Sequence, residues 1–187
     1  RILSGAFLIA LLGMCSSCTN NDYTLSSPDG NLVMQLRPNE EGEWTYSFQA
    51  EGTPLINESE LGFDLVGDDD VPGEGWKVND VSKRNVWKPI WGKRTEVDDH
   101  FNEVVLELSR KGAFPEKITL VARAYNDGVA FQYRIPEDLA GEAKVESEET
   151  SYNFAGDYTA WYYNGEYHNL GPERLTETGE ERLPVMT

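Results

Sequence analysis

Two segments of the sequence concentrate side chains that bind sugars, protons or metal ions. The first segment contains Trp87, Trp91, His100, Asn102 and Glu103. Aromatic faces stack on sugar C–H groups, and His, Asn and Glu side chains hydrogen-bond to hydroxyl groups, so this segment predicts a glycan-binding loop. The alternative is structural: the tryptophans would anchor a loop, and the polar side chains would satisfy backbone groups.

The second segment covers residues 157–168, where Glu166 lies among aromatic residues next to Gly165. A carboxylate in such a loop can bind a metal ion or transfer a proton. The alternative is a turn residue that faces solvent. Trp161 in the same segment joins the candidate substrate-binding residues.

Other site chemistries find little support in the sequence. The acidic run at residues 68–70 does not match a calcium-binding EF-hand, because Pro72 stands where an oxygen ligand is needed, and it is interpreted as a solvated loop. The chain has no phosphate-binding glycine loop, and with 2 His a Ser–His triad is unsupported. Acidic residues are abundant, so a catalytic carboxylate pair stays open, but no pair stands out.

Charge restricts the partners of the protein. The chain has 33 acidic and 16 basic residues and a net charge of -17. Nucleic acid is therefore an unsuitable partner, since phosphate binding needs a basic surface. An anionic membrane surface would also repel the folded chain, so the acidity is interpreted as a source of solubility.

The N-terminal residues are typical of an export signal. An apolar run from Ile2 to Met14 is too short to span a bilayer and fits the core of a signal peptide. The following residues resemble a bacterial lipoprotein processing site, with Cys18 as the lipidated residue because Ser16 and Ser17 are small. We therefore predict a signal peptide at 1–18, a tether at 19–24, and a periplasmic or outer-membrane lipoprotein of a Gram-negative bacterium. Both cysteines lie in the first 18 residues, so the folded part has no disulfide.

The elements that must position these residues are strands. Apolar and polar residues alternate with period two through most of the chain, as in Leu32, Met34 and Leu36. Asn126-Asp127-Gly128 has the composition of a hairpin turn. The best helical candidate, Glu137 to Glu146, is short and contains a glycine. About ten short strands predict an all-β, antiparallel sandwich in one domain over residues 25–187.

Six motifs, in this order, resemble the N-terminal domain of glycoside hydrolase family 97. They are Ser27-Pro28-Asp29-Gly30-Asn31-Leu32, Leu61-Gly62-Phe63, Trp87-x-Pro89-x-Trp91-Gly92, His100-x-Asn102-Glu103, Tyr125 to Tyr133, and Ala160-Trp161. The resemblance implies a β-super-sandwich similar to mutarotase-like domains, followed by a catalytic (β/α)8 barrel. Such enzymes hydrolyse α-glucosides or α-galactosides, and their catalytic residues come from the barrel, so none is expected in this chain.

The resemblance also implies a cofactor and partners. The sandwich would pack on the barrel of the same polypeptide, help to form the pocket for an α-linked oligosaccharide, and lend one glutamate to a calcium ion. Glu166 matches that glutamate, and the membrane would be contacted only through the lipid anchor. Lys93 stands where the family often has an acidic residue, which affects individual sugar contacts.

Two other interpretations remain open at this point. The chain can be a stand-alone, surface-anchored glycan-binding lipoprotein without catalytic activity, or a purely structural envelope lipoprotein. The last residues, Leu183 to Thr187, have the composition of a strand that has just begun. We therefore expect the sequence to be truncated before the catalytic barrel.

Overall fold

The computed structural model describes residues 22–66, 74–109, 115–139, 141–163 and 169–178. These residues form no α-helix, and they contain no helix long and apolar enough to cross a membrane. Their elements are β1 (Tyr23–Ser26), β2 (Leu32–Pro38), β3 (Trp44–Ala50), β4 (Thr53–Glu60), β5 (Phe63–Leu65), β6 (Glu74–Trp87), β7 (Val97–Ser109), β8 (Lys117–Tyr125), β9 (Val129–Arg134), β10 (Val145–Glu148), β11 (Thr159–Tyr163), β12 (Asn169–Arg174) and a 3-10 helix, Leu175–Glu177.

Two four-stranded antiparallel sheets form the body of the domain. The first sheet has the order β1-β2-β3-β4 and the second has the order β6-β7-β8-β9, so each sheet follows the chain as a meander. Two smaller ribbons pair β10 with β5 and β11 with β12. The all-β sandwich predicted from the alternating pattern is confirmed.

Alternate side chains of the two sheets meet in one apolar core. Met34 and Leu36 from the first sheet and Leu106 and Leu120 from the second sheet are fully buried. Burying a side chain of this size stabilises the fold by roughly 1.5–3 kcal/mol relative to leaving it exposed. The same cluster contains Leu25, Trp44, Tyr46, Leu61, Val104, Leu108, Ala122 and Ala124.

Gly75 lets β6 approach the core closely. A Cβ atom at this position would lie 2.1 Å from Cζ2 of Trp44 and 2.8 Å from Cδ2 of Leu108. The indole of Trp44 also stacks on Tyr23, with ring centroids 6.1 Å apart. A side chain at position 75 would therefore displace an aromatic pair at the edge of the core.

A contact between two turns joins the sheets at one end. Ser27 Oγ donates a hydrogen bond to Asp29 Oδ1 at 2.6 Å, and this bond is the main reason why the pKa of Asp29 is lowered. The Asp29 backbone N–H donates to Asn126 Oδ1 at 3.1 Å, in the turn between β8 and β9. Gly30 follows with φ +78°, a conformation that favours glycine. The hydrogen bond from Asp29 to Asn126 thus links the two turns.

The segment after β9 folds back along the first sheet. The Asn57 backbone N–H donates to the Asn153 carbonyl at 2.8 Å, and the Tyr46 hydroxyl donates to the Ser151 carbonyl at 3.0 Å. Burial, with a smaller contribution from Tyr152, raises the pKa of Tyr46 to about 12. Burial also raises the pKa of Tyr133, which lies in the same layer of aromatic rings.

Strands lie where the sequence alternates between apolar and polar residues. The described residues between Glu137 and Ala143 contain turns but no helix. The acidic run at 68–70 and the strand predicted at 183–187 lie outside the described residues, as do the signal peptide and Cys18.

Candidate functional site

β6 and β7 extend beyond the second sheet as a two-stranded arm. β8 pairs with β7 only from Phe101, which lies opposite Tyr125. Before that point, Arg84 to Trp87 pair with Val97 to His100, and within the described residues neither strand has another partner over this stretch. We call residues 84–100 the arm.

The arm differs from the loop that the sequence predicted. That prediction placed the whole segment from Trp87 to Glu103 in a loop, and it is wrong at both ends, because Trp87 closes β6 and Val97 opens β7. The alternation of apolar and polar residues does not reveal the strands of the arm. Neither face of the arm packs against another sheet, so neither face needs to be apolar. Only the connection between Trp87 and Val97 is irregular, and it turns at Gly92 with φ +131°.

The arm exposes large apolar side chains. Ile90 is 100% exposed, Trp91 is 87% exposed and Trp87 is 47% exposed, and Val86 is also exposed. Exposed apolar residues grouped in this way mark a surface that binds a partner or ligand. Trp87 closes β6, whereas Trp91 lies in the connection between β6 and β7 at the end of the paired ribbon.

Ion pairs cross the arm from one strand to the other. Arg84 donates to Asp98 through two bonds of 3.0 and 2.8 Å, and Lys88 lies 3.3 Å from Glu96. The hydrogen bond from Arg84 is the main cause of the lowered pKa of Asp98. Both pairs join the β6 side of the arm to the β7 side, and their four side chains are well exposed.

The polar residues predicted to bind sugar lie apart from the indoles. His100 pairs across the arm with Arg84, and strand alternation places it on the face opposite Trp87. Asn102 Nδ2 donates to the Ser26 carbonyl at 2.8 Å, so this amide links β7 to β1. The structure therefore brings Trp87 and Trp91 onto one arm, but it does not gather all of the predicted residues around one point.

Glu103 belongs to an ion pair on the outer face of the second sheet, the face turned away from the first sheet. Its carboxylate accepts a hydrogen bond from Arg123 Nε at 2.6 Å, and its side chain is only 8% exposed. The guanidinium of Arg123 lies 4.1 Å from the ring centroid of Phe101. The Tyr125 hydroxyl and then Glu103 raise the pKa of Arg123. This group covers Phe101, which is buried although it points away from the core.

A cavity of about 530 Å³ opens where β1 faces β6 and β7. Asn102 and Glu103 line it together with Ser26, Lys77 and Asp80. Most of these polar groups already have partners, since Lys77 Nζ also lies 2.7 Å from Asp80. The polar groups that line the cavity are therefore largely occupied by hydrogen bonds within the protein. The exposed side chains of the arm are more available to a ligand.

Trp161 lies in the ribbon formed by β11 and β12. Its side chain is 48% exposed, whereas the neighbouring Tyr162 is buried and its hydroxyl donates to Glu173. Asp157 holds the base of the ribbon through both the backbone N–H and the hydroxyl of Thr176, each at 3.1 Å. Trp161 is thus a stacking surface on a separate ribbon.

The predicted metal ligand lies outside the described residues. Glu166 belongs to the connection between β11, which ends at Tyr163, and β12, which begins at Asn169. Within the described ranges, no group of three or more His, Cys, Asp or Glu side chains is arranged to hold a metal ion. The described residues therefore do not form a calcium site by themselves.

Basic residues cluster on the arm and at its base, and of these only Lys93 was singled out from the sequence. Lys83, Arg84, Lys88, Lys93 and Arg94 lie within twelve residues of a chain that has 16 basic residues in total. Counting charge along short windows would have shown this cluster, but the net charge of the whole chain conceals it.

The family profile "Glycosyl-hydrolase 97 N-terminal" matches residues 25–184. The retaining alpha-galactosidase of Bacteroides thetaiotaomicron is 25% identical over 198 aligned positions, which cover 94% of this chain and 28% of that protein. The chain therefore spans little more than a quarter of the length of this curated relative.

Solved structures show the same similarity. A glycoside hydrolase family 97 enzyme from Pseudoalteromonas sp. strain K8, in complex with acarbose, superposes with a TM-score of 0.67 and 27% identity, covering 80% of this chain and 24% of that chain. A variant of a family 97 enzyme from the same strain, in complex with panose, gives a TM-score of 0.64, also at 27% identity, covering 76% of this chain and 22% of that chain. A beta-arabinopyranosidase shares the fold with a TM-score of 0.62 at 21% identity, over 75% of this chain and 22% of that chain.

Proposed function

The chain belongs to glycoside hydrolase family 97, and from this premise we propose that it forms the pocket-shaping N-terminal domain of an α-glycosidase. The catalytic residues would lie in another part of the polypeptide, in a (β/α)8 barrel on which the sandwich packs. The short share of the relatives' length that this chain covers supports that division. The substrate would be an α-linked oligosaccharide, because relatives are a retaining alpha-galactosidase and enzymes complexed with panose or acarbose.

The arm is the observation that carries the proposal. Trp87, at the end of β6, and Trp91, in the connection to β7, stand beyond the body on an arm that two ion pairs cross. An indole placed in this way stacks on a pyranose ring and excludes water from one side of the ligand. The arm would therefore position the substrate, and positioning lowers the entropy cost of reaching the reactive geometry.

Substitution of the indoles in the intact enzyme tests this role. Trp91→Ala should raise KM about fivefold, since stacking of one ring on an aromatic face contributes on the order of 1 kcal/mol. The matched control is Val145→Ala, which changes an exposed apolar side chain of β10, outside the arm. Equal KM values for wild type, Trp91→Ala and Trp87→Ala would refute a sugar-binding arm.

Calcium is a second part of the proposal. Glu166 would supply one oxygen ligand to a calcium ion, and the other ligands would be carboxylates of the catalytic domain, since calcium takes six to eight oxygens. In the intact enzyme, Glu166→Gln should weaken calcium binding measured by calorimetry, and Glu142→Gln serves as an exposed acidic control. Unchanged calcium affinity in Glu166→Gln would remove this residue from the site.

Export as a lipoprotein is the third part. We propose that Cys18 carries the lipid anchor and that the tether at 19–24 leads to the sandwich, at the periplasmic side or on the outer membrane. Metabolic labelling with a fatty acid should mark the wild-type protein and not Cys18→Ser. Label retained in Cys18→Ser but lost in Cys15→Ser would move the anchor to the other cysteine.

A further inference from the structure

The tip of the arm has a charge opposite to that of the rest of the protein. Between Trp87 and Thr95 the chain has three basic residues and no acidic residue, although the whole sequence has 33 acidic and 16 basic residues. The whole arm, residues 84–100, has four basic and three acidic residues, so the positive charge is concentrated at the tip. A local field of this sign attracts an anionic group to the tip in spite of the net charge of the chain.

Two of the basic residues at the tip are free of acidic partners. Lys88 is paired with Glu96 at 3.3 Å. Lys93 and Arg94 are exposed, and within the described residues neither makes an ion pair. Their charges are therefore available to a ligand.

These charges lie next to the most exposed indole. Trp91 precedes Lys93 by two residues, across the turn at Gly92. An indole face and a guanidinium within one turn match a pyranose ring that carries a carboxylate, because the ring stacks while the carboxylate accepts charge-assisted hydrogen bonds.

We infer that the arm selects glycosides that contain a uronic acid residue, with Lys93 and Arg94 as the specificity-determining residues. The inference rests on the proposed function and names its substrate class. The size of the tip favours a sugar over an acidic protein, since a stable protein interface needs roughly 800 Å² from each partner and the arm is only two strands wide.

The test compares two trisaccharides on the full chain. Intrinsic tryptophan fluorescence would follow titration with α-1,4-linked tri-galacturonic acid and with maltotriose, a neutral α-1,4-linked trisaccharide of glucose. We expect the anionic ligand to bind about tenfold more tightly at low salt, and the difference to shrink at high salt because ions screen exposed charges. Lys93→Gln/Arg94→Gln should remove the difference.

A control variant and a competitor make the test specific. Arg134→Gln/Lys144→Gln removes two exposed charges from the body and should leave the difference intact. Equal affinity of the wild type for both sugars, or an unchanged preference in Lys93→Gln/Arg94→Gln, would overturn the inference. If either result were obtained, loss of maltotriose binding in Trp91→Ala would still support the proposed function. Competition by polyglutamate as strong as that by tri-galacturonate would instead identify an acidic protein surface as the occupant and would also overturn the inference.

Discussion

The body and the arm share two strands but differ in how their side chains are buried. In the part of β7 that pairs with β8, from Phe101 to Ser109, Val104, Leu106 and Leu108 are buried in the core between the sheets. In the part that belongs to the arm, from Val97 to His100, no side chain is fully buried and β6 is the sole paired neighbour in the described structure. One continuous strand therefore passes from a packed environment to a solvated one.

This difference separates residues that make the fold from residues that are free for function. A buried side chain in the body has its identity fixed by packing. An exposed indole on the arm satisfies no packing requirement, so a ligand or partner accounts for it better than stability does. Asn102 and Glu103 lie just inside the body, and their hydrogen bonds to Ser26 and Arg123 place them with the first group.

The largest expected effect contrasts two aliphatic side chains of similar size. Leu106→Ala should lower the free energy of unfolding by about 3 kcal/mol, since Leu106 is fully buried and truncation leaves a cavity. Ile90→Ala should change it by less than about 0.5 kcal/mol, since Ile90 is fully exposed. Urea unfolding followed by circular dichroism measures both. If Ile90→Ala lowered the free energy of unfolding as much as Leu106→Ala, Ile90 would have to be packed against other residues. The contrast between a buried body and an exposed arm would then be wrong.

A second pair of variants sharpens the comparison with glycines. Gly75→Ala should cost about 2 kcal/mol, because the added Cβ meets Trp44 at 2.1 Å and overpacked cores lose stability. Gly141→Ala is the matched control, since nothing lies within 4 Å of the Cβ that it would add. Thermal unfolding of both variants is the measurement. A Gly75→Ala protein as stable as the control would show that the indole of Trp44 can move away at little cost.

The fold was largely predictable from the sequence because strands such as β2 turn one face to the core and the other to solvent. Met34 and Leu36 are buried while Gln35 and Arg37 are exposed, so period two appears directly in the residue types. The turn at Asn126 to Gly128 was also recognised, since its chemistry is local. The contact between that turn and Asp29 was not, because 97 residues separate the partners.

The candidate site was predictable only in part. The two tryptophans were singled out because they lie four residues apart around a proline, in a segment dense in residue types that bind sugars. The roles of Asn102 and Glu103 depend on partners in other strands, and Glu103 meets Arg123 only when β7 and β8 pair. Residue type alone cannot distinguish a carboxylate that binds a sugar from one that neutralises a guanidinium.

Glu103 provides the third test, at the boundary between the two regions. Glu103→Gln should lower the free energy of unfolding by about 1–2 kcal/mol, because Arg123 loses its anionic partner but keeps some contact with water. Oligosaccharide affinity measured by tryptophan fluorescence should not change. Loss of sugar binding at unchanged stability would instead restore Glu103 as a ligand residue, as the sequence predicted.

The smallest expected effect concerns the ion pair within the arm. Arg84→Gln removes the two hydrogen bonds to Asp98, yet the urea midpoint at pH 7 should stay within experimental error, since both side chains are well exposed and exposed pairs contribute little. Arg84 lowers the pKa of Asp98 below its usual value of 3.8, so any contribution is present above that value and is lost as the pH falls through the lowered pKa. Wild type and Arg84→Gln should therefore have matching midpoints at pH 7 and also at pH 2. A lower midpoint for Arg84→Gln at pH 7, with the gap closing on acidification, would show that the arm unfolds together with the body, and its indoles would then belong to the same cooperative unit as the core.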